Sequence, residues 1–492
     1  MTRRLYIPQD TTARAVGADR LARAWEKERG VEIVRTSSRG AFYLEPLVET
    51  DGPQGRIGWP NVTAQGLPKI LRGEGGTPIS DIPFLAKQTR AIFANAGVTR
   101  PLSLEDYKTH GGFAGLEAAL RLAPEKIVEE LSISKLRGRG GAAFPVGRKW
   151  QTALETHADQ KYVVANADEG DAGTYCDRMV MEGEPFRLIE GMLIAAYAIG
   201  ATKGYIYCRY EYPAAAAMLE AAIGILTAAG YMGPKAAVPF DVEVFVGAGS
   251  YVCGEETALL QSLEGKRGMV QPKPPYPAVS GLYGKPTLVS NVLTFATVPA
   301  ILARGAAWHA SLGTEHSKGT IALQIGGRVK QPGLAEVPFG LSLEEAIEQF
   351  GGGMATGARF KAVQVGGPLG SLFTKAGLKT RICYDEFARA GAILGHGGIV
   401  VFDQETDMLA LARHFMAFTA DESCGACTPC RVGSVRAREV LDGFVQGRGR
   451  PGDLDLLADL GETMKQTSLC ALGQRAPYPV LTAIEHFRKE FR

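Results

Sequence analysis

The chain carries almost no net charge: 54 lysines and arginines against 52 aspartates and glutamates leave +2 over 492 residues. That excludes the broad basic surface by which proteins hold nucleic acid or anionic membranes as main partners. No uncharged apolar run is long enough to span a bilayer. The opening MTRRLYIPQD lacks the apolar stretch of a secretion signal, so a soluble cytoplasmic protein is expected. Internal repeats and low-complexity segments are absent, as are a Walker phosphate loop and the GxGxxG dinucleotide fingerprint. Cysteine is missing until Cys176. What is present is ordinary globular composition, 46% hydrophobic and 22% charged, at a length suited to about three or four domains.

Residues 1–75 read as a small mixed α/β unit: a strand at RLYIP, a helix from about Thr12 to Lys27, then VEIVRTS, FYLEPLVET and RIGWPNV. Gly73, Gly75, Gly76, Thr77 and Pro78 suggest a linker, and residues 76–110 a connecting arm. Across 111–317, strands at KYVVANADEG, GYIYCRY and DVEVFVGAG alternate with helices at PFRLIEGMLIAAYAIGA and PAAAAMLEAAIGILTAAG. This alternation predicts a wound α/β sheet whose ligands sit beyond the carboxyl ends of the strands. Residues 318–402 suggest a small β-rich domain around one helix, LSLEEAIEQFG. From 403 to 492 helical patterns dominate.

Four of the eight cysteines fall in that last region, at Cys424, Cys427, Cys430 and Cys470. ESCGACTPC spaces three thiols three residues apart on a backbone turned by Gly425 and Pro429. Three close cysteines plus a remote fourth suit a four-thiolate cubane cluster. A four-cysteine zinc site is the rival, although zinc sites more often use two CxxC pairs. Arg431, Arg436 and Arg438 would favour an anionic cluster or simply face solvent. Cys176, Cys208, Cys253 and Cys383 read as buried free thiols.

KLRGRGGAAFPVGRKW holds four glycines from Gly138 to Gly147, with Arg139, Arg148 and Lys149 adding positive charge. Backbone N–H groups of such a loop can approach a phosphate, and a plain tight turn is the alternative. VVANADEGDAGTYCDR ends a strand on Asn166, Asp168, Glu169 and Asp171. These could bond ribose hydroxyls or a flavin edge, or form a solvated acidic loop. VFVGAGSYVCGEETALL repeats the strand, glycine turn, helix order. There, Glu255 and Glu256 suit a first helical turn on dipole grounds alone. Lys273 and Tyr276 lie in the proline-stiffened loop that follows and could take a phosphate and an adenine.

Together these segments resemble the NADH- and FMN-binding flavoprotein subunit of respiratory NADH:quinone oxidoreductase. The resemblance covers about residues 110–492. It rests on GRGGAAFPVGRKW, NADEGDAGT, GAGSYVCGEETALL, KPPYPAVSGLYGKP, SNV, ESCGACTPCRVG and SLCALG in that order. It implies a multidomain α/β fold with a Rossmann-like FMN domain, a ubiquitin-like β-grasp domain and a C-terminal helical bundle holding a 4Fe-4S cluster. It further implies FMN contacts at Gly138, Arg139, Gly140, Lys149, Asn166, Asp168, Tyr251, Gly254, Glu255 and Asn291. Phe144, Lys273 and Tyr276 would hold the adenine end of NAD, and Glu256 its ribose. Cys424, Cys427, Cys430 and Cys470 would ligate the cluster. Hydride exchange between NAD(H) and FMN needs no catalytic acid or base, so Glu169, Asp171 and Glu255 are read as positioning groups. Asp171 replaces the glutamate of NADEGEPGT, and Thr152 stands where some relatives carry an aromatic.

SSRGAFYLEPLVETDGPQGRIGWPNV resembles the N-terminal extension of the β subunit of cytoplasmic NAD-dependent molybdenum formate dehydrogenases. That resemblance implies a thioredoxin-like domain without its cluster. It also implies two partners, a thioredoxin-like 2Fe-2S subunit and a large molybdenum subunit. The diaphorase subunit of a bidirectional hydrogenase is the alternative. A non-catalytic iron–sulfur scaffold or redox sensor is a third reading.

Overall fold

The computed structural model describes residues 2–492. Its centre is an all-parallel sheet of β6 (Tyr162–Ala167), β7 (Lys203–Cys208), β8 (Asp241–Val246) and β9 (Thr287–Asn291), in the order β8-β7-β6-β9. Parallel neighbours need crossover connections, and here helices supply them. β9 is buried throughout, and the middle strands β6 and β7 are each buried at four of six positions. The helix Pro185–Ile199 starts on a proline, stops at Gly200 in the left-handed region, and buries all but two of its residues. It lies against the helix Val292–Arg304 so closely that a Cβ on Gly191 would sit 2.1 Å from the Phe295 carbonyl oxygen.

The N-terminal sheet runs β2-β1-β3-β4-β5, with β1 (Arg3–Pro8) parallel to β2 (Val31–Thr36). β3 (Val48–Gly52), β4 (Gly55–Trp59) and β5 (Thr77–Pro78) continue it antiparallel. Two expectations change here. The single helix expected from Thr12 to Lys27 is broken into Thr11–Ala15 and Ala18–Trp25, because Gly17 takes a φ of +103°. Thr77 and Pro78, read as linker, are the edge strand β5. The arm beyond them is fastened rather than loose. The buried Glu336 carboxylate accepts from the backbone N–H groups of Ala91, Ile92 and Phe93 at 2.9–3.0 Å. Buried Glu190 likewise accepts from Phe113 and Leu116 N–H groups and from the Tyr107 hydroxyl.

The third sheet, β11-β10-β14-β12-β13, comprises β10 (Thr320–Gly327), β11 (Gly333–Pro338), β12 (Phe360–Val365), β13 (Ser371–Phe373) and β14 (Gly398–Asp403). Only the central β10–β14 pair is parallel, and the sheet wraps the helix Leu343–Gln349, which opens with a Ser342/Glu345 capping box. The helices Met408–Glu422, Thr428–Val445, Asp453–Thr467 and Pro477–Phe487 form the C-terminal bundle around Met408, Met416, Leu441, Leu457 and Val480. None of the described helices is long and apolar enough to cross a membrane.

Candidate functional site

The site lies where the wound sheet predicts it, beyond the carboxyl ends of β6, β8 and β9. Asn166, near the end of β6, donates Nδ2 to the Gly254 carbonyl at 2.7 Å, tying the acidic loop to the second glycine turn. Asn291 ends β9. Its Oδ1 caps the helix Val292–Arg304 through Leu293 N–H, and its Nδ2 donates to Asp177 at 2.7 Å. The glycine loop lies across this helix start: Arg139 N–H donates to Thr294 Oγ1 at 2.9 Å, and a Cβ on Gly140 would come within 3.0 Å of Asn291 Cβ. Gly138 accepts from the Tyr384 hydroxyl. Arg139 departs from expectation. Its guanidinium bonds the carbonyls of Arg137 and Lys318 and packs over Phe339, so only its backbone faces the cradle.

Two carboxylate oxygens in this pocket are buried without a partner, Asp168 Oδ2 and Asp177 Oδ1. Burial pushes the Asp168 carboxyl up to about 7 against the pull of Arg209. Orphan acceptors of this kind are costly unless a ligand supplies donors. A polyhydroxyl chain ending in a phosphate fits both them and the glycine cradle, so the residues present suit FMN.

Lys149, Glu256 and Lys273 form one charge cluster. Lys149 Nζ lies 3.1 Å from Glu256, and Lys273 Nζ lies 3.4 Å from Glu256 and 2.8 Å from Glu255. Burial opposes ionisation of Glu256, but the two ammonium groups outweigh it and hold the carboxyl below its ordinary value. Glu255 caps the helix Glu256–Leu263 by accepting from Thr257 and Ala258 N–H groups. Phe144 and Tyr276 are both exposed, 45% and 57%, as aromatic faces for a stacked base must be.

Glu169 is not free to position a substrate. It is 1% exposed and accepts from Asp177 and Arg178 N–H groups at the start of the helix Cys176–Gly183, and from the Tyr212 hydroxyl. Asp171 is held by two partners, the Tyr251 hydroxyl at 2.7 Å and His396 Nδ1 at 2.9 Å. His396, Asp177, Arg209 and Gln324 were missed by sequence reasoning. The only signal for His396 is a histidine bracketed by Gly395 and Gly397 just before a strand.

Tyr251 links this pocket to the cysteines. Its N–H donates to Glu422 at 3.0 Å, its ring meets Phe418, and it packs, as Cys427 and Cys470 do, against the buried cluster that contains Cys430. Cys427 and Cys470 stand at helix N-caps and Cys430 lies buried in the first turn of the helix Thr428–Val445. Among the described residues, no three of these four sulfurs lie within 4.8 Å of one another. Tetrahedral zinc, at ~2.3 Å from each sulfur, needs them about 3.8 Å apart. The wider spacing and the helix starts suit an anionic cubane.

Comparison with known proteins agrees. The Nuo51 FMN-binding domain matches residues 131–300, the SLBB domain 323–372, and the iron–sulfur binding region of NADH-ubiquinone oxidoreductase-F 410–492. A subunit of the NADP-reducing hydrogenase of Solidesulfovibrio fructosivorans is 47% identical over 82% of this chain and 83% of its own length. The matching NADH-quinone oxidoreductase subunit of Escherichia coli is 42% identical over 80% and 89%. The alpha subunit of the NAD-reducing hydrogenase of Cupriavidus necator is 35% identical over 98% and 82%. A crystal structure of an NAD+-reducing [NiFe]-hydrogenase superposes with a TM-score of 0.73 at 31% identity, covering 100% of this chain and 84% of that one. On these matches the protein belongs to the family of NADH- and FMN-binding flavoprotein subunits of NADH:quinone oxidoreductase, as an NAD-linked diaphorase carrying FMN and a 4Fe-4S cluster.

Proposed function

We propose that this diaphorase is the NAD-side module of a cytoplasmic NAD-dependent molybdenum formate dehydrogenase, working between a thioredoxin-like 2Fe-2S subunit and a large molybdenum subunit. One observation carries the reading. The N-terminal unit, thioredoxin-like in its strand order, has no cysteine, and the turns after β1 and β2 are joined instead by a carboxylate. Asp10 there accepts from Thr12, Ala13 and Ser38 N–H groups. Such a unit serves as a fitted surface, not as an electron carrier. The native complex tests the proposal: it should contain molybdenum and reduce NAD+ with formate. Nickel, and NAD+ reduction by hydrogen, would overturn it.

The second reading is a diaphorase of a bidirectional hydrogenase, favoured by the hydrogenase relatives that match nearly the whole chain. An iron–sulfur scaffold or redox sensor would need neither the glycine cradle nor the exposed aromatic pair.

In the proposed division of labour, residues 111–317 bind both nucleotides, 318–402 form the β-grasp and 403–492 hold the cluster. FMN, when bound, supplies the exchange between hydride and single-electron chemistry. The backbone of Gly138 to Gly140, with Lys149, would receive its phosphate. Asn166, Asp168, Gly254 and Asn291 would orient the ribityl chain and ring, and Tyr251 would close the pocket on the cluster side. Phe144 and Tyr276 would hold adenine, with Lys273 and Glu256 at the adjoining phosphate and ribose.

A further inference from the structure

We infer that His396, on the β-grasp domain, is a positioning residue of the flavin site: it clamps the acidic loop to the glycine loop and neutralises Asp171 beside the flavin. The inference rests on the diaphorase site proposed above and adds a residue that the sequence motifs do not contain.

Three contacts converge on the turn that carries it. Gly395 pairs by backbone with Gly141 of the glycine loop, and a Cβ on Gly141 would lie 3.8 Å from His396 Cε1. Gln324 donates Nε2 to the His396 carbonyl at 2.9 Å and accepts, through Oε1, from Tyr175 and Cys176 N–H groups. His396 Nδ1 meets Asp171 at 2.9 Å. The imidazole therefore stands between the two loops that line the pocket, held from the backbone side by its own sheet.

Asp171 contacts the ring, and the other nearby charges that act on it, Asp177 and Glu169, are also acidic. Burial alone would drive the imidazole neutral, but Asp171, with smaller help from the other two, keeps it up at about 9. Burial holds the Asp177 carboxyl well above its ordinary range, and Asn291 bonds it. The Asp171–His396 ion pair is thus largely buried, its side chains 10% and 19% exposed. Without His396, an unbalanced Asp171 carboxylate would oppose the negative charge that a flavin gains on reduction.

The test is the two-electron potential of FMN bound to the full-length holoprotein, read by anaerobic spectroscopic titration. His396→Gln should weaken binding of reduced relative to oxidised flavin about tenfold, a fall of ~30 mV. The Asp171→Asn/His396→Gln double variant should return to the wild-type potential, because both charges are gone. A clamp without electrostatic effect would not be rescued by the second change. If His396→Gln loses its flavin, His396→Lys should keep it at the wild-type potential, since the cation remains. An unshifted potential in flavin-loaded His396→Gln, a double variant as shifted as the single, or flavin loss in His396→Lys as well overturns the inference. If the variants show the shift while the wild-type holoprotein does not oxidise NADH, the functional reading is overturned and this one stands.

Discussion

Lys149 and Glu256, 107 positions apart in the chain, meet at 3.1 Å and join the glycine loop to the second glycine turn. Lys149 also donates to the Val289 carbonyl at 3.1 Å, so its ammonium is fixed by an ion pair and by the middle of β9. The charge proposed for the phosphate and the carboxylate proposed for the ribose therefore share one contact, and changing either end is felt at the other.

Glu256→Ser is expected to narrow the preference for NADH over NADPH. A carboxylate favours ribose hydroxyls and repels a 2′-phosphate, whereas Lys149 and Lys273 left without it would attract one. The measurement is kcat/KM for each cofactor with ferricyanide. A gap that closes by roughly tenfold, or about 1.4 kcal/mol, fits; an unchanged ratio removes Glu256 from the ribose.

Cys470→Ser should deplete iron and bleach the broad visible absorption of the anaerobically purified protein, while flavin stays bound. Cys470 is the one proposed ligand from outside the ESCGACTPC turn. Wild-type protein holding stoichiometric zinc and no iron would contradict the cubane assignment.

Stability should depend on pH through His396. Its folded value, about 9, lies above the ~6.5 of a free histidine. The protonated form is thus the one that folding favours. Its contribution is whole below about pH 6.5 and is lost as pH rises through 9. Urea titrations between pH 6.5 and 9.5 should show falling stability in the wild type and a flatter course in His396→Gln. Parallel slopes would mean that the pair adds nothing to folding.

Asp10→Ala should loosen the N-terminal unit at a cost of about 1–3 kcal/mol, because buried backbone N–H groups lose their acceptor. The neighbouring Thr11 and Thr12 contacts to Glu182 and Arg178 hold that unit on the flavin domain. Limited proteolysis should then cut within residues 1–75 sooner while NADH:ferricyanide activity persists. Loss of FMN in step with the cutting would assign the unit to supporting the flavin fold instead.

The elements that were legible in the sequence are those whose identity is local. Continuous apolar runs at β6 and β7, the proline-started helix at Pro185 and the cysteine spacing each announce themselves within about ten residues. Glu255 as a helix cap was also open to reading, since a carboxylate before a helix has a local partner. What stayed hidden depends on distant partners. Glu169 looks like a site residue by its motif, yet its oxygens are taken by a helix start and by Tyr212. Arg139 looks like a phosphate ligand, yet its guanidinium serves the junction with the β-grasp. His396 joins the pocket from 225 positions away from Asp171, and no spacing rule spans such a distance. The arm at 76–110 read only as a connection because its anchors, Glu336 and Glu190, lie in other domains.

The central claim is that this chain alone passes electrons from NADH through FMN. The direct measurement is anaerobic NADH:ferricyanide reduction by the purified chain, with flavin and iron counted in the same sample. The account predicts turnover by protein holding one FMN and four irons, and loss of turnover when FMN is stripped and its return when FMN is restored. Protein that carries both groups in full and still leaves NADH unoxidised would contradict it.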